Sequence, residues 1–327
     1  MQLSLFSGCG GLDLGFEQAG FSTGLSYDIR QWSIASWNKN RPRKPVGRVF
    51  NITDLTLDKL DEHYGSIFLP TSVVGGPPCQ SFTNANSHKR DDDPRTALVA
   101  RFFDIVLDLH RRSPLDFVVM ENVRELATAR YEHILTEQIR RLDEADFQSR
   151  IEVLDAQNFK VPQARKRLFL VALNEREFRS LKWQPPEPSG DVVTVADAIR
   201  NLPEPTYFAR GLRADEIAHH PNHWCMVPKS PKFGSDALQP GKSFGRSFKM
   251  LDWKRPSFTV SYGNREVHVH PSGKRRLSVY EAMLLQGFPA DFVLSGTLSA
   301  QITQVSEAVP PPLAYAIANS IKAMRPD

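Results

Sequence analysis

The stretch that decides the fold is Val73-Val74-Gly75-Gly76-Pro77-Pro78-Cys79-Gln80-Ser81-Phe82. A β-branched run that ends at two glycines and two prolines predicts a buried strand, over 71–74, entering a rigid loop. The prolines fix two φ angles, so we expect Cys79 on a stiff platform at the carboxyl end of that strand. In open α/β sheets this edge carries the ligands. Cys79 is therefore a candidate nucleophile, with a small cysteine buried in a turn as the alternative.

The composition is typical of a protein with a large core. The chain has 327 residues, of which 41% are hydrophobic and 24% charged, and this length predicts one large and one smaller domain. No apolar run approaches the roughly 18 residues of a membrane span, and no signal peptide follows Met1, so we expect a cytoplasmic protein. Cys9, Cys79 and Cys225 lack the spacing of a zinc site, so we expect reduced thiols and no metal.

Positive charge is concentrated in one segment of the chain. Residues 206–276 carry 13 Lys or Arg against 5 Asp or Glu, whereas the net charge of the whole chain is +4. A basic segment on a slightly acidic remainder suits a polyanionic partner. A merely solvated basic surface is the alternative.

Strand and helix patterns alternate along the first half of the chain. Residues 3–6 read as a strand that runs into a Gly-rich turn and a helix, a unit typical of nucleotide-binding α/β folds. Asp28 ends the second predicted strand, where it can bind ribose hydroxyls or cap the following helix. Further strands are predicted at 48–52, 71–74, 117–120, 150–154 and 167–173. The pattern predicts an α/β fold with a mostly parallel sheet and helices on both faces.

A proline-rich stretch, Trp183-Gln184-Pro185-Pro186-Glu187-Pro188, marks a domain boundary. We predict a catalytic domain over residues 1–182, a smaller irregular domain over 183–255, and a return segment over 256–327. The return segment begins with a strand-like alternation at 256–260. Helices are predicted at 29–38, 96–110, 195–201, 277–286 and 311–324.

Five separated motifs resemble, in their order, the motif set of the C5-cytosine DNA methyltransferases. They are Leu5-Phe6-Ser7-Gly8-Cys9-Gly10-Gly11, Gly76-Pro77-Pro78-Cys79-Gln80-Ser81-Phe82, Glu121-Asn122-Val123, Gln163-Ala164-Arg165-Lys166-Arg167 and Leu284-Leu285-Gln286-Gly287-Phe288-Pro289. The resemblance implies a Rossmann-like domain that uses S-adenosylmethionine. It also implies that residues 183–255 are a target-recognition domain and that the last helix packs beside the first strand.

The resemblance assigns chemistry to four side chains. Cytosine is hidden by base stacking, so the family flips its target base out of the duplex. Cys79 resembles the nucleophile that adds to C6, and Glu121 resembles the carboxyl group that protonates N3, with a pKa raised by burial. We expect Arg165 and Arg167 to face different sides of a strand edge. Arg167 is favoured for the base, and Arg165 is kept as a second active-site group.

The resemblance also implies a pocket for S-adenosylmethionine and its product S-adenosylhomocysteine. Its candidate residues are Phe6, Ser7, Gly8, Gly10, Gly11, Leu12, Asp28, Ile29, Asn51, Ile52, Pro78, Leu98, Glu307 and Val309. Two positions depart from the family pattern: Asn51 replaces an acid near the adenine, and Ser306-Glu307 replaces Gly-Asn before Ala-Val-Pro. An ionised carboxylate cannot donate a hydrogen bond, which puts the contact of Glu307 in question.

The basic segment is expected to bind DNA phosphates and bases. The candidate contacts are Ser81, Arg246, Lys249, Arg255 and Arg265. Residues 81–95 resemble the loop that closes over flipped DNA, with an ordinary surface loop as the alternative.

Three hypotheses follow for the function. The leading one is a stand-alone, monomeric prokaryotic DNA cytosine-5 methyltransferase of a restriction–modification or related defence system. It would act on double-stranded DNA, and a cognate endonuclease would be a functional partner rather than a stable subunit. The alternatives are a tRNA cytosine-5 methyltransferase and a catalytically inactive DNA-binding relative. A Rossmann-fold dehydrogenase is excluded because it explains neither the Cys79 loop nor the motif at 163–167.

Overall fold

A seven-stranded sheet lies at the centre of the computed structural model, which describes residues 1–78, 97–245, 247–260 and 267–325. Its strands are β1 (Gln2–Leu5), β2 (Thr23–Asp28), β3 (Gly47–Val49), β4 (Ser72–Gly75), β5 (Phe117–Asn122), β6 (Phe147–Asp155) and β7 (Lys166–Asn174). They lie in the order β3-β2-β1-β4-β5-β7-β6. The first five pair in parallel, and β7 is antiparallel to both β5 and β6. The predicted α/β fold with a mostly parallel sheet is confirmed.

Helices cover both faces of this sheet and continue into the second half of the chain. They are α1 (Gly11–Gln18), α2 (Gln31–Lys39), α3 (Leu57–Tyr64), α4 (Ala97–Arg112), α5 (Glu132–Asp143), α6 (Val195–Ile199), α7 (Val279–Leu285), α8 (Leu298–Glu307) and α9 (Pro311–Ala323). The sequence patterns did not predict α3, α5 and α8. The strand-like alternation at 256–260 does not form a strand. In the described chain this stretch makes only a single bridge, between Gln163 and Ser257.

The core lies in two layers because successive strand residues point to opposite faces. Val73 packs with Phe102 of α4 on one face. On the other face, Val74 packs with Phe16 of α1 and Ile317 of α9. Both faces of the central strands are therefore buried, as parallel strands require.

The last helix returns to the main sheet, where it lies against α1. A Cβ atom at Gly15 would overlap Ala314, so the close approach of α1 and α9 needs a glycine at this position. Trp183, at the start of the proline-rich stretch, is fully buried, and its Nε1 donates a hydrogen bond to Ser320 Oγ at 2.8 Å. After β7, the chain therefore packs against α9 as it leaves the sheet.

The region after the proline-rich stretch is built from short strands and loops. Its strands are β8 (Thr206–Tyr207), β9 (Trp224–Cys225), β10 (Ser243–Phe244), β11 (Phe248–Met250) and β12 (His268–Val269). Part of its interior is polar, since Arg275 and Glu281 form a buried ion pair at 2.9 Å. No helix in the described ranges is long and apolar enough to cross a membrane.

Candidate active site

The turn between β1 and α1 forms an open cradle at the carboxyl end of the sheet. Gly8, with φ +56°, donates its backbone N–H to Asp28 Oδ2 at 3.0 Å. Ser7 donates its hydroxyl to the Tyr27 carbonyl oxygen at 3.3 Å. A Cβ atom built on Gly8 would meet no described atom within 4 Å. Phe6 also has a left-handed φ of 55°, a strained conformation that clusters at ligand sites. The cradle therefore has room for a ligand in front of Gly8.

Asp28 projects from the end of the second strand and is held by two backbone groups. Besides the bond from Gly8, its Oδ1 accepts a hydrogen bond from the Arg30 N–H at 2.8 Å. Burial raises the pKa of Asp28, and the two backbone bonds and the charge of Arg30 partly oppose this. Because α2 has Arg30 as its N-cap residue, Asp28 is not the cap of that helix. A carboxylate at this strand end remains available for ribose-like hydroxyls.

Apolar surface lies beside Asp28. Ile29 is 65% exposed, which is unusual for a large aliphatic side chain, whereas Ile52 is buried. Asn51 is exposed, and its Oδ1 accepts a hydrogen bond from the Thr53 N–H at 3.2 Å. Since an amide oxygen has two lone pairs, Asn51 can still accept a second hydrogen bond. Pro78 and Leu98 are half-buried.

The third side of the cradle comes from the end of α8 and the residues that follow. A Cβ atom on Gly11 would overlap the Val309 carbonyl oxygen, so these two backbones are in close contact. Glu307 forms an ion pair with Arg30. Gly10 lies against Trp37, where a Cβ atom would approach Cδ1 to 2.6 Å. Leu12 belongs to the apolar cluster under α9, so its side chain serves the core rather than a ligand.

A buried carboxyl group lies at the end of β5. Glu121 is 8% exposed, and its Oε1 lies 3.1 Å from Arg167 Nε. Burial raises the pKa of Glu121, and the charges of Arg167 and Arg165 partly lower it. A Cβ atom on Gly76 would lie 3.0 Å from Glu121 Oε2, so the carboxyl group lies against the loop that follows β4. A raised pKa favours the protonated form, which can donate a proton.

Asn122 fixes the loop that leads to Cys79. Its Nδ2 donates a hydrogen bond to the Pro77 carbonyl oxygen at 3.2 Å, and its Oδ1 accepts one from the Val123 N–H at 2.9 Å. The role of Asn122 was not predicted from the sequence, although the residue lies within the Glu121-Asn122-Val123 motif. Cys79 and Ser81 themselves lie outside the described residues.

The expectation that Arg165 and Arg167 face different sides is wrong. The charges of both act on Glu121, because residues two apart in an extended chain point to the same face. Arg165 is 1% exposed, and its guanidinium donates hydrogen bonds to backbone carbonyl oxygens at Val260 (3.2 Å), Ser306 (2.8 Å) and Ala308 (3.0 Å). Arg165 therefore holds the backbone, and Arg167 is the arginine in direct contact with the carboxyl group.

Two glutamines join motifs that are far apart in sequence. Gln163 Nε2 donates a hydrogen bond to Gln286 Oε1 at 2.7 Å, and Gln163 Oε1 accepts one from the Val260 N–H at 3.1 Å. Gln286 Nε2 in turn donates to the Ala308 carbonyl oxygen at 2.6 Å. Both glutamines belong to the family-like motifs, but their function was not predicted from the sequence. They connect the strand that carries Arg167 to the turn after α8.

Cations lie beside aromatic rings on and near β10 and β11, in the region after the proline-rich stretch. Phe244 is 46% exposed, and Lys232 Nζ lies 4.1 Å from the centre of its ring. Lys249 is half-buried on β11. Arg255 is exposed, and its Nε lies 3.9 Å from Asp252 Oδ2. Exposed rings flanked by cations are typical of nucleic-acid surfaces. Arg246 and Arg265, two further candidate contacts, lie outside the described residues.

Comparison with known proteins identifies the family. A family model for C-5 cytosine-specific DNA methylase matches residues 1–323. The chain is 34% identical over 335 residues to the Type II methyltransferase M1.HphI of Haemophilus parahaemolyticus, covering 98% of this chain and 86% of that protein. It is 32% identical to the Type II methyltransferase M.MthTI of Methanothermobacter thermautotrophicus, covering 98% and 96%.

The same fold is found in a crystal structure of a DNA modification methyltransferase encoded within a prophage of E. coli. The two structures superpose with a TM-score of 0.80 at 23% sequence identity, covering 99% of this chain and 98% of the other. This likeness supports the Rossmann-like assignment of the sheet. With a family model that spans almost the whole sequence, this chain belongs to the C-5 cytosine-specific DNA methylase family.

Proposed function

We propose that this protein is a DNA cytosine-5 methyltransferase that transfers a methyl group from S-adenosylmethionine to a cytosine in double-stranded DNA. We further propose that it acts in the prokaryotic cytosol, as a monomer, within a restriction–modification or related defence system. The observation that carries the proposal is the buried Glu121 carboxyl group, paired with Arg167 and lying against the loop that leads to Cys79. The family membership supports the substrate class.

The residues of the cradle fit S-adenosylmethionine. The open space at Gly8 admits a ligand close to the backbone, and Asp28 offers carboxylate oxygens to the ribose hydroxyls. Exposed Ile29 offers apolar surface to the adenine. When bound, S-adenosylmethionine supplies an electrophilic methyl group on its sulfonium centre. No metal is required for this chemistry.

The catalytic steps follow from the chemistry of cytosine. The target base is flipped from the duplex, and the Cys79 thiolate adds to C6. Glu121 donates its proton to N3, which takes up the negative charge of the adduct and makes C5 nucleophilic. C5 then takes the methyl group from the sulfonium centre, which leaves S-adenosylhomocysteine. The C5 proton passes to water, elimination of Cys79 restores the ring and the thiolate, and the N3 proton returns to Glu121. The products are 5-methylcytosine, S-adenosylhomocysteine, one proton and the regenerated enzyme.

Each side chain near the base has one role in this scheme. Burial keeps the pKa of Glu121 raised, so that a proton is present on the group that must give it up. Arg167 orients the carboxyl group and can bind the O2 atom of the base. Arg165 holds the backbone on which Arg167 is presented.

We propose that the domains divide these tasks. Residues 1–182 and the return segment 256–327 carry the cofactor and the chemistry, and residues 183–255 select the DNA site. The alternation of Lys232, Phe244 and Lys249 supports a DNA-facing surface in the latter region.

A substrate comparison tests the proposal. The purified chain is incubated with S-adenosylmethionine and either duplex DNA of random sequence or tRNA, and 5-methylcytosine is measured by nucleoside mass spectrometry. We expect 5-methylcytosine in the duplex only, and none with Cys79→Ser. Product only in tRNA would overturn the DNA assignment. Product in neither, with no cofactor binding by calorimetry, would show an inactive relative.

A further inference from the structure

An ion pair joins two segments that are 277 residues apart, at the cofactor side of the proposed site. Arg30 Nη2 donates a hydrogen bond to Glu307 Oε1 at 3.1 Å, and Nη1 binds the other carboxylate oxygen. The contact is bidentate, which fixes the direction of approach as well as the distance. The Arg30 guanidinium also lies over the Trp32 ring, 5.1 Å from its centre.

Arg30 is attached directly to the proposed ribose-binding carboxylate. Its backbone N–H donates to Asp28 Oδ1, while Gly8 holds the other oxygen of the same group. The charge of Arg30 lowers the pKa of Asp28 and the charge of Glu307 raises it, so the three groups lie within electrostatic reach of one another. A displacement of Arg30 would therefore shift the Asp28 carboxylate.

Glu307 lies on the opposite side of the cradle, at the end of α8. The carbonyl groups on either side of it, at Ser306 and Ala308, both accept hydrogen bonds from the buried Arg165 guanidinium. Val309, two residues further on, contacts Gly11 at the start of α1. The turn 306–309 therefore contacts Gly11 of the cradle and accepts hydrogen bonds from Arg165. It also carries Glu307, one partner of the ion pair.

We propose that Arg30 and Glu307 form a pair of positioning residues, which sets the distance between Asp28 and the turn 306–309 around the cofactor. This inference rests on the proposed function. It gives Glu307 a role without any contact to the cofactor, since its carboxylate is already paired with Arg30. It also accounts for the departure of Ser306-Glu307 from the Gly-Asn of the family, because Arg30 supplies the counter-charge that an added carboxylate requires.

Because the Arg30–Glu307 pair is partly exposed, its effect on cofactor affinity can be measured apart from any effect on stability. The side chains are 33% and 42% exposed, and ion pairs in such positions contribute little to the free energy of unfolding. Removing one partner should therefore change cofactor affinity while the melting temperature of the ligand-free protein stays the same. Because solvent ions screen the pair, cofactor affinity should also fall with rising salt in the wild type more than in the variants.

The test measures binding of S-adenosylmethionine and S-adenosylhomocysteine by calorimetry. The variants are Arg30→Met, Glu307→Gln and the charge exchange Arg30→Glu with Glu307→Arg. The matched control is Arg140→Met on α5, which removes exposed ion pairs with Glu137 and Glu144 far from the cradle. We expect each single variant to raise Kd roughly fivefold to tenfold, with KM for the cofactor rising and kcat nearly unchanged. The exchange should recover most of the affinity, and the control should bind as the wild type does.

Two outcomes would overturn the inference. Wild-type affinity in both single variants would show that the pair does not position the pocket. Weakened binding that the charge exchange does not recover, with unchanged melting temperatures, would show that one of the residues contacts the cofactor directly. Absence of cofactor binding by the wild type is a different result, since it would overturn the proposed function itself.

Discussion

Arg167 Nε lies 3.1 Å from Glu121 Oε1, and both side chains are almost fully withdrawn from solvent. Two opposing effects act on the carboxyl group in this arrangement. Burial favours its neutral form, whereas the guanidinium favours its charged form, and burial is the larger effect. The result is an acid with a raised pKa that already lies beside a group able to stabilise its anion, as a proton donor requires.

Glu121→Gln should keep the fold and cofactor binding but lose most of the methyl transfer. The amide has the shape of the acid and can still bind N3, but it cannot give up a proton. We expect kcat to fall by roughly 10²- to 10⁴-fold, measured by single-turnover transfer to duplex DNA. The calorimetric Kd for S-adenosylmethionine is the control and should not change.

The pH dependence of the same variant checks the assigned protonation state. Because the pKa of Glu121 is raised in the folded protein and the protonated form is active, kcat/KM should fall as the pH rises through that pKa. Glu121→Gln should lose this alkaline limb. An alkaline limb that survives the substitution would mean that another group titrates there.

Arg165→Met should mainly lose stability, whereas Arg167→Met should mainly lose catalytic rate. Removing the Arg165 side chain takes its donor from the Val260 and Ser306 carbonyl groups, while the Ala308 carbonyl keeps its bond from Gln286. This should lower the free energy of unfolding by on the order of 3 kcal/mol. Arg167→Met should instead reduce kcat and lower the melting temperature less. Thermal unfolding and single-turnover rates distinguish the two. Equal loss of stability in both variants would contradict the separate roles.

Gly8→Ala and Gly11→Ala form a second contrasting pair. A methyl group at Gly8 would project into open space, so the protein should fold, with a strain of about 1 kcal/mol from its positive φ, yet bind the cofactor more weakly. A methyl group at Gly11 would overlap the Val309 backbone and should destabilise the fold. Calorimetry and thermal unfolding measure the two effects. Unchanged cofactor affinity in a folded Gly8→Ala protein would place the cofactor elsewhere.

Phe244→Ala should weaken DNA binding without changing cofactor binding. The ring is 46% exposed beside Lys232, and stacking of a base on such a ring contributes roughly 1–3 kcal/mol. Tyr315→Ala is the matched control, since Tyr315 is 43% exposed but lies on α9. Fluorescence anisotropy with a labelled duplex compares them. Equal effects of the two substitutions would remove β10 from the DNA-binding surface.

The sequence predicted the sheet well because its signals are local. A β-branched run and the glycines and prolines that end it mark β4 within a residue or so. The apolar spacing of α4 marks a helix that ends within a turn of its prediction. The direction of β7 could not be predicted in this way, because a strand that is buried on both faces has the same composition in either orientation.

The contacts that organise the site are long-range, and this is why the sequence could not show them. Arg165 has the same local pattern as Arg167, but its acceptors at Val260 and Ser306 lie 95 and 141 residues away. The Arg30–Glu307 pair spans still more of the chain. Only the departure from the family motif at Ser306-Glu307 indicated that this position was unusual.

The central claim is covalent catalysis on DNA cytosine, and trapping on duplex DNA that contains 5-fluorocytosine tests it most directly. Fluorine at C5 cannot leave as a proton does, so an enzyme that adds a thiolate at C6 and methylates C5 remains attached to its target. With S-adenosylmethionine present, we expect a complex that survives denaturation and is absent in Cys79→Ser. A wild-type protein that binds both cofactor and DNA but forms no such complex would contradict it.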